Sequence, residues 1–269
     1  MFEARDLSGD LSAVRTAHAP GALVVDCARD FETLDPAVAE ELALLTDALD
    51  PATYPESWLP ADAPDELRRY AGDEFTVGMP GDGGVAWTRQ TDPPTVFVKP
   101  RLEGSPESFV RFLVAEALLE AGSDVPEHFL PFFESRYREL ASAVPLDPAG
   151  TYQLAAALTT AYTGLHTRET FVDWDEAYPD LFAAWLDAGE RLVPRLTDLP
   201  GEVARGETAF PAAAELACSA VKHAAAPDGT DPPVELPAPF AALDTSAYRD
   251  HGAEYAVTWA EKTFAELDE

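Results

Sequence analysis

Lysine is almost missing from this 269-residue chain. Lys99, Lys222 and Lys262 are the only three, so fifteen of the 18 basic residues are arginine. Against them stand 49 Asp and Glu, for a formal net charge of −31. Phosphate backbones are held by local clusters of Lys and Arg. The only dense cationic spots are Arg68-Arg69 and Arg136-Tyr137-Arg138, which read as helix-surface cations. A nucleic-acid partner is therefore not expected, and the acidic surface should attract solvent cations instead.

So acidic a chain is either disordered or adapted to its solvent. Disordered acidic chains are poor in apolar and aromatic residues, whereas 46% of this chain is hydrophobic and 10% aromatic. A folded protein with this charge repels itself at low salt. At molar salt the screening length falls to about 3 Å, and like charges barely interact. Composition thus points to a folded protein of a salt-rich interior.

Cysteine is also scarce. Cys27 and Cys218 are far apart and match no Cys-x-x-Cys spacing, so two reduced thiols are expected rather than a disulfide framework. Long apolar runs are missing too, which leaves no candidate for a membrane span. The start, Met1-Phe2-Glu3-Ala4-Arg5-Asp6, lacks the basic and apolar regions of a signal peptide. A cytoplasmic location is the expectation.

Catalytic and cofactor signatures are missing in turn. Gly78-Met-Pro-Gly-Asp-Gly-Gly84 is rich in glycine, but no Lys-Ser or Lys-Thr follows and the next run is β-type, so it reads as a hairpin loop. No Gly-x-Ser-x-Gly elbow is present. The five histidines show no His-Glu-x-x-His spacing, and Cys218 and His223 lie about 140° apart on a helix. No internal repeat is visible. No cofactor is expected.

What is there is mostly helical periodicity. Residues 1–72 read as a helical segment: Asp35 and Pro36 open a helix carrying Val38, Leu42, Leu45 and Leu49 on one stripe. Ala22–Cys27 is ambiguous between strand and helix, and a short helix is expected near Asp65–Tyr70. Residues 73–100 change period. Phe75–Met79, Val85–Arg89 and Thr95–Lys99 are β-prone runs separated by Gly and Pro clusters, and predict a three-stranded antiparallel meander.

Residues 101–269 return to helix. Ser105 and Pro106 open one to Ala121, stopped by Gly122; others cover about Pro126–Val144, Ala149–His166, a Trp174–Leu192 stretch with Pro179 at its start or at a kink, and Phe210–Ala225. Residues 226–240 hold Pro227, Pro232, Pro233, Pro237 and Pro239 and form an extended connector before a last helix, Ser246–Leu267. The expected class is mainly α: a multi-helix, bundle-like domain with one small three-stranded antiparallel β-meander, α+β at the margin. The three segments fold either separately or as one compact domain.

One helix stands out. Phe109–Glu120 is apolar almost all round, which predicts burial, yet Glu116 and Glu120 lie one turn apart on its apolar arc. An unpaired buried carboxylate is costly. One reading is a paired-carboxylate site, joined by His128 or Glu127, that holds a metal or works as acid and base. The other is structural: Glu116 pairs with an arginine such as Arg136, and Glu120 lies at the exposed helix end. Thr159, Thr163 and His166 form a polar stripe that could line a pocket, and Trp87 is the tryptophan best placed for a binding surface.

Phe109–Glu120, Pro126-Glu-His-Phe-Leu-Pro-Phe-Phe133 and the lysine-poor, Asp/Glu/Ala-rich composition resemble uncharacterised haloarchaeal proteins of unknown function. That resemblance implies no site residue. The leading expectation is a non-catalytic cytoplasmic helical protein acting through a protein partner in a regulatory or assembly role. The alternative is an enzyme or metal-binding protein with its site at Glu116 and Glu120.

Overall fold

The computed structural model describes residues 1–72, 74–79 and 81–267. Asp73 and Pro80, at the start of the expected meander and in its glycine-rich turn, lie outside the described residues. The chain divides into two compact units. The first comprises Met1–Tyr54 and Glu66–Glu127, and the second Pro55–Asp65 and His128–Glu269. The class is the expected one, mainly helical with a small sheet.

The first unit contains β1 (Phe2–Ala4), α1 (Asp10–His18), β2 (Leu23–Cys27), the short α2 (Ala39–Leu42), β3 (Ala48–Leu49), most of α3 (Asp65–Ala71), β4 (Val85–Thr88), β5 (Thr91–Asp92), β6 (Thr95–Val98) and α4 (Glu107–Ala121). Its main sheet has the order β1-β2-β6-β4. The β1/β2 and β6/β4 pairs are antiparallel, and β2/β6 is parallel, with Leu23 opposite Thr95 and Asp26 opposite Val98. β3 and β5 form a separate two-stranded pair.

The expected three-stranded antiparallel meander is thus corrected to a mixed four-stranded sheet. Only β4 and β6 of the three expected runs are strands; Phe75–Met79 is irregular and reaches the core through buried Phe75 and Val77. The ambiguous Ala22–Cys27 run is a strand at a sheet-central position, and its partner β6 lies some seventy residues onward. Short-range pattern carries no information about such a parallel pairing, which needs a long crossover.

The helix expected from Asp35 is also shorter than its stripe. Asp35 does accept the Ala37 N–H at 2.9 Å, but after a 3₁₀ turn at Pro36–Val38 and α2 the chain leaves the helix. Asp47 N–H donates to the Asp92 carbonyl at 2.6 Å and draws the chain into the β3/β5 pair. Leu42 and Leu49 still reach the core from there, while Leu45 is exposed.

α4 packs on α1, β4 and β6. Its end, Gly122, lies so close to α1 that a Cβ built there would overlap the His18 carbonyl oxygen. Val114 and Leu118 are fully buried, as expected of a helix without a broad polar face.

The second unit is helical: α5 (Phe129–Phe133), α6 (Arg136–Ala143), α7 (Pro148–Ala177), α8 (Pro179–Ala204), α9 (Phe210–Ser219) and α10 (Ser246–Leu267). The helix expected over Pro126–Val144 is broken, because Pro131 falls within α5 and Glu134 adopts a positive φ of 50°. The helix expected to end at His166 runs on through Trp174 as the 30-residue α7, capped by Asp147 accepting the Gly150 N–H at 2.7 Å, and the rest of the expected Trp174–Leu192 stretch belongs to the next helix. α8 opens at Pro179. α7 packs against α5, α6, α8, α9 and α10, burying Leu154, Leu158, Ala161 and Leu165 on the predicted apolar line. α10 bends at Gly252, whose φ of +47° lies in the left-handed region that favours glycine.

No helix among the described residues is long and apolar enough to cross a membrane.

Candidate functional site

Glu116 is buried at 7% exposure and is not without a partner. Glu120 accepts a 2.8 Å hydrogen bond from Trp87 Nε1, tying the last turn of α4 to β4. Glu127 accepts from Thr88 Oγ1 at 2.6 Å, Arg89 N at 2.9 Å and Gln90 Nε2 at 2.9 Å, which fastens the turn after β4. His128 belongs to the second unit and caps α5: its Nδ1 accepts the Leu130 N–H at 3.1 Å. Burial pushes the His128 pKa down to about 3, so the ring is a neutral acceptor.

Arg136 forms ion pairs with Glu139 and Glu254. The Thr159–His166 stripe turns inward on its own helix. Thr159 Oγ1 donates to the Ala155 carbonyl at 3.0 Å, and His166 Nδ1 lies 2.9 Å from that of Tyr162. Cys27 and Cys218 are both buried free thiols. Among the described residues, no group of three or more His, Cys, Asp or Glu is placed to hold a metal ion.

The sequence reading missed the most unusual side chain. Lys99, one of only three lysines, directly follows β6 and is 1% exposed. Side chains alternate along a strand, so Lys99 lies on the same face as Phe97. The contacts agree: the Phe31 ring meets Phe97 at 6.1 Å between centroids, and Lys99 Nζ sits over that same ring, 4.5 Å from its centre. An ammonium carries three donors, yet Nζ has no hydrogen-bond partner among the described residues.

Three loops converge around it. Because β2 and β6 run parallel, the segments after them, Asp30–Glu32 and Lys99–Arg101, leave from the same edge of the sheet. β4 runs antiparallel to β6 and begins opposite its end, with Val85 paired to Val98. The segment before β4, Gly81–Gly84, therefore arrives at that edge too, and Lys99 N–H donates to the Gly84 carbonyl at 2.8 Å.

Arg101 staples the three together. Its Nε lies 2.8 Å from both Asp30 carboxylate oxygens; its two terminal nitrogens donate to the Asp82 carbonyl at 3.1 Å, the Phe31 carbonyl at 3.1 Å and Glu32 Oε1 at 3.2 Å. Glu32 also accepts the Gly81 N–H at 2.9 Å, and Asp82 that of Met79 at 2.8 Å. The arginine holds the loops through its donors, whereas the lysine's Nζ has no hydrogen-bond partner among the described residues.

The electrostatics follow from this arrangement. The Arg101 guanidinium beside Asp30 holds that carboxyl below its ordinary value, and the Gly81 N–H does the same for Glu32. Asp82 is instead raised by burial, and Lys99 is lowered by burial, with the Asp82 charge opposing that shift. Burial pushes the nearby Cys27 thiol up to about 12, so it is not a thiolate nucleophile. The edge thus holds three carboxylates and two cations, one of which is a dry amine.

A mainly helical protein with a small mixed sheet, and a buried lysine at the carboxyl edge of its two parallel strands, is the class that fold and site define. The chain belongs to a family of unknown function (DUF7089), whose model matches residues 1–267. No curated protein and no solved structure matches the chain.

Proposed function

We propose that the protein binds a small ligand bearing a carbonyl or carboxylate oxygen at the carboxyl edge of the first unit's sheet, with Lys99 as the anchor. The observation that carries this reading is the buried Nζ, which has no hydrogen-bond partner among the described residues. An unpaired buried charge is expensive, and ligand oxygens would satisfy it. Ligands of open parallel sheets sit outside the carboxyl ends of the strands, and here the loops at that end are pinned by Arg101. With Asp30, Glu32 and Asp82 around the amine, a polyanion is repelled, which narrows the ligand to a neutral carbonyl or a single carboxylate.

The test is NMR of protein carrying isotope-labelled lysine, in molar KCl, titrated with acetate, acetone and glyoxylate. A saturable shift of the Lys99 side-chain signal, with Lys222 and Lys262 unmoved, is expected. An unmoved Lys99 signal with all three would overturn the reading.

The composition supports a finer reading of habitat: a cytoplasmic protein of a salt-rich, haloarchaeal-type cell, with 49 acidic residues and only three lysines. A non-catalytic role through a protein partner is a second reading, favoured by Leu44, 85% exposed beside Leu45 at 39%. Crosslinking in a lysate at molar KCl tests it, and recovery of the bait alone would count against it.

A further inference from the structure

Resting on the ligand-binding reading above, we infer that the edge site takes a small monocarboxylate, held as an ion pair by a Lys99 side chain that stays charged. The ring contact decides the charge. Nζ sits 4.5 Å from the centre of the Phe31 ring, and the face of an aromatic ring attracts a cation. That ring is itself fixed. The Phe31 N–H donates to Asp30 Oδ1 at 2.9 Å, its carbonyl accepts from Arg101 at 3.1 Å, and its ring meets Phe97 edge-on at 6.1 Å. The ammonium therefore rests on a rigid platform, and its three donors have no hydrogen-bond partner among the described residues. A neutral carbonyl would satisfy a donor but leave the buried charge uncompensated. A carboxylate brings the opposite charge and two oxygens, and such charge-assisted bonds are roughly twice as strong as neutral ones.

The surrounding groups limit the ligand to one negative charge. Arg101 is already paired with Asp30 at 2.8 Å and with Glu32 at 3.2 Å. Asp82 is the third carboxylate of the edge, and packing gives its place. A Cβ built on Gly78 would lie 3.1 Å from the Phe31 ring and 3.4 Å from Asp82 Oδ2, so ring and carboxylate flank one glycine. The Met79 N–H holds that same oxygen at 2.8 Å. A monocarboxylate gains its ion pair at Nζ. A second negative charge would find Arg101 taken, and would add only repulsion from the carboxylates. Phe31 is half-buried, so the platform reaches the surface. A short carbon chain behind the carboxylate can cover its exposed apolar part.

The scarcity of lysine makes the test clean, because Lys99 has only Lys222 and Lys262 beside it in a lysine spectrum. The full chain with isotope-labelled lysine, in potassium sulfate matched in ionic strength to molar KCl, is titrated separately with acetate, acetone, oxalate and chloride. The Lys99 signal should shift saturably with acetate and stay in place with the other three, with Lys222 and Lys262 unmoved throughout. Acetate should also raise the melting temperature of the wild type but not of Lys99→Met, because only a ligand bound to the folded state shifts melting. Asp82→Asn keeps an oxygen for the Met79 N–H and removes one charge, so oxalate should now shift Lys99. A shift with acetone as large as with acetate would overturn the inference and leave the binding reading standing. An equal shift with chloride would show that any single anion suffices and would overturn the carboxylate. No shift with any of the four would bring down both readings.

Discussion

Trp87 Nε1 donates to Glu120 Oε2 at 2.8 Å, and the Arg89 guanidinium carbon lies 4.9 Å from the centre of the same indole. The Glu120 carboxylate thereby ties α4 to the sheet. Glu120→Gln keeps an acceptor for the indole and should change stability little. Trp87→Phe removes the donor and leaves a half-buried carboxylate short of one bond, at a cost of about 1–3 kcal/mol. Denaturant unfolding of the two variants in molar KCl checks the difference, and equal losses would show that the bond contributes nothing.

Lys99 should be a stability liability. Its folded-state pKa is lowered, mainly by burial. The folded state therefore binds fewer protons than the unfolded chain, and the penalty is fully present below the folded value. It fades as pH rises through the folded value and is gone above the ordinary lysine value of about 10.4. Lys99→Met should stabilise the protein by about 1–4 kcal/mol near pH 7, the range seen when buried ionic groups are replaced by apolar ones. The gain should shrink toward pH 10. A destabilised variant would mean that the amine has found partners.

Two histidines should give stability an acid limb. Burial lowers both His128 and His223 to about 3. Below about pH 6.5 the unfolded chain takes up protons there that the folded chain refuses, so stability present above pH 6.5 is lost as pH falls toward 3, by up to about 1.4 kcal/mol per pH unit for each ring. His128→Asn keeps a side-chain acceptor at the cap of α5 and should remove roughly half of the histidine slope. Melting temperatures of wild type and variant at pH 7 and pH 5 read this directly.

Gly122 leaves no room for a methyl group. Gly122→Ala drives a Cβ into the His18 carbonyl oxygen, a backbone atom that cannot rotate away. α1 must move off α4, and a loss at or above the usual overpacking range of about 1–3 kcal/mol is expected. Gly104→Ala provides the contrasting control for strain without a clash, since its φ is +83° and nothing lies within 4 Å of its built Cβ.

Salt should control the fold as a whole. With a net charge of −31, lowering salt from molar to about 0.1 M lengthens screening from about 3 Å to about 10 Å and lets the carboxylates repel. The melting temperature should fall steadily over that range. An unchanged value down to tens of millimolar would remove the high-salt reading.

The helices of the second unit were legible because their apolar positions repeat at the helical period, as with Leu154, Leu158, Ala161 and Leu165. The break at Glu134 was not, because a positive φ in a non-glycine residue has no sequence signature. The burial of Glu116 was readable from the apolar neighbours on every side of its helix. The Trp87–Glu120 bond was not, because it joins residues 33 apart whose meeting depends on how α4 lies on β4.

Sequence alone determined the helical class, the buried character of α4 and the net acidity, because periodicity and charge are local or additive properties. Tertiary structure alone decided that the sheet is mixed and that its two parallel strands deliver their following loops to one edge. The lone lysine there carried a signal, an amine after an apolar strand in a chain that elsewhere uses arginine. Only the pairing of β2 with β6 shows what that amine faces: Phe31 beneath it, the loops carrying Asp82 and Arg101 at the same edge, and no hydrogen-bond partner among the described residues.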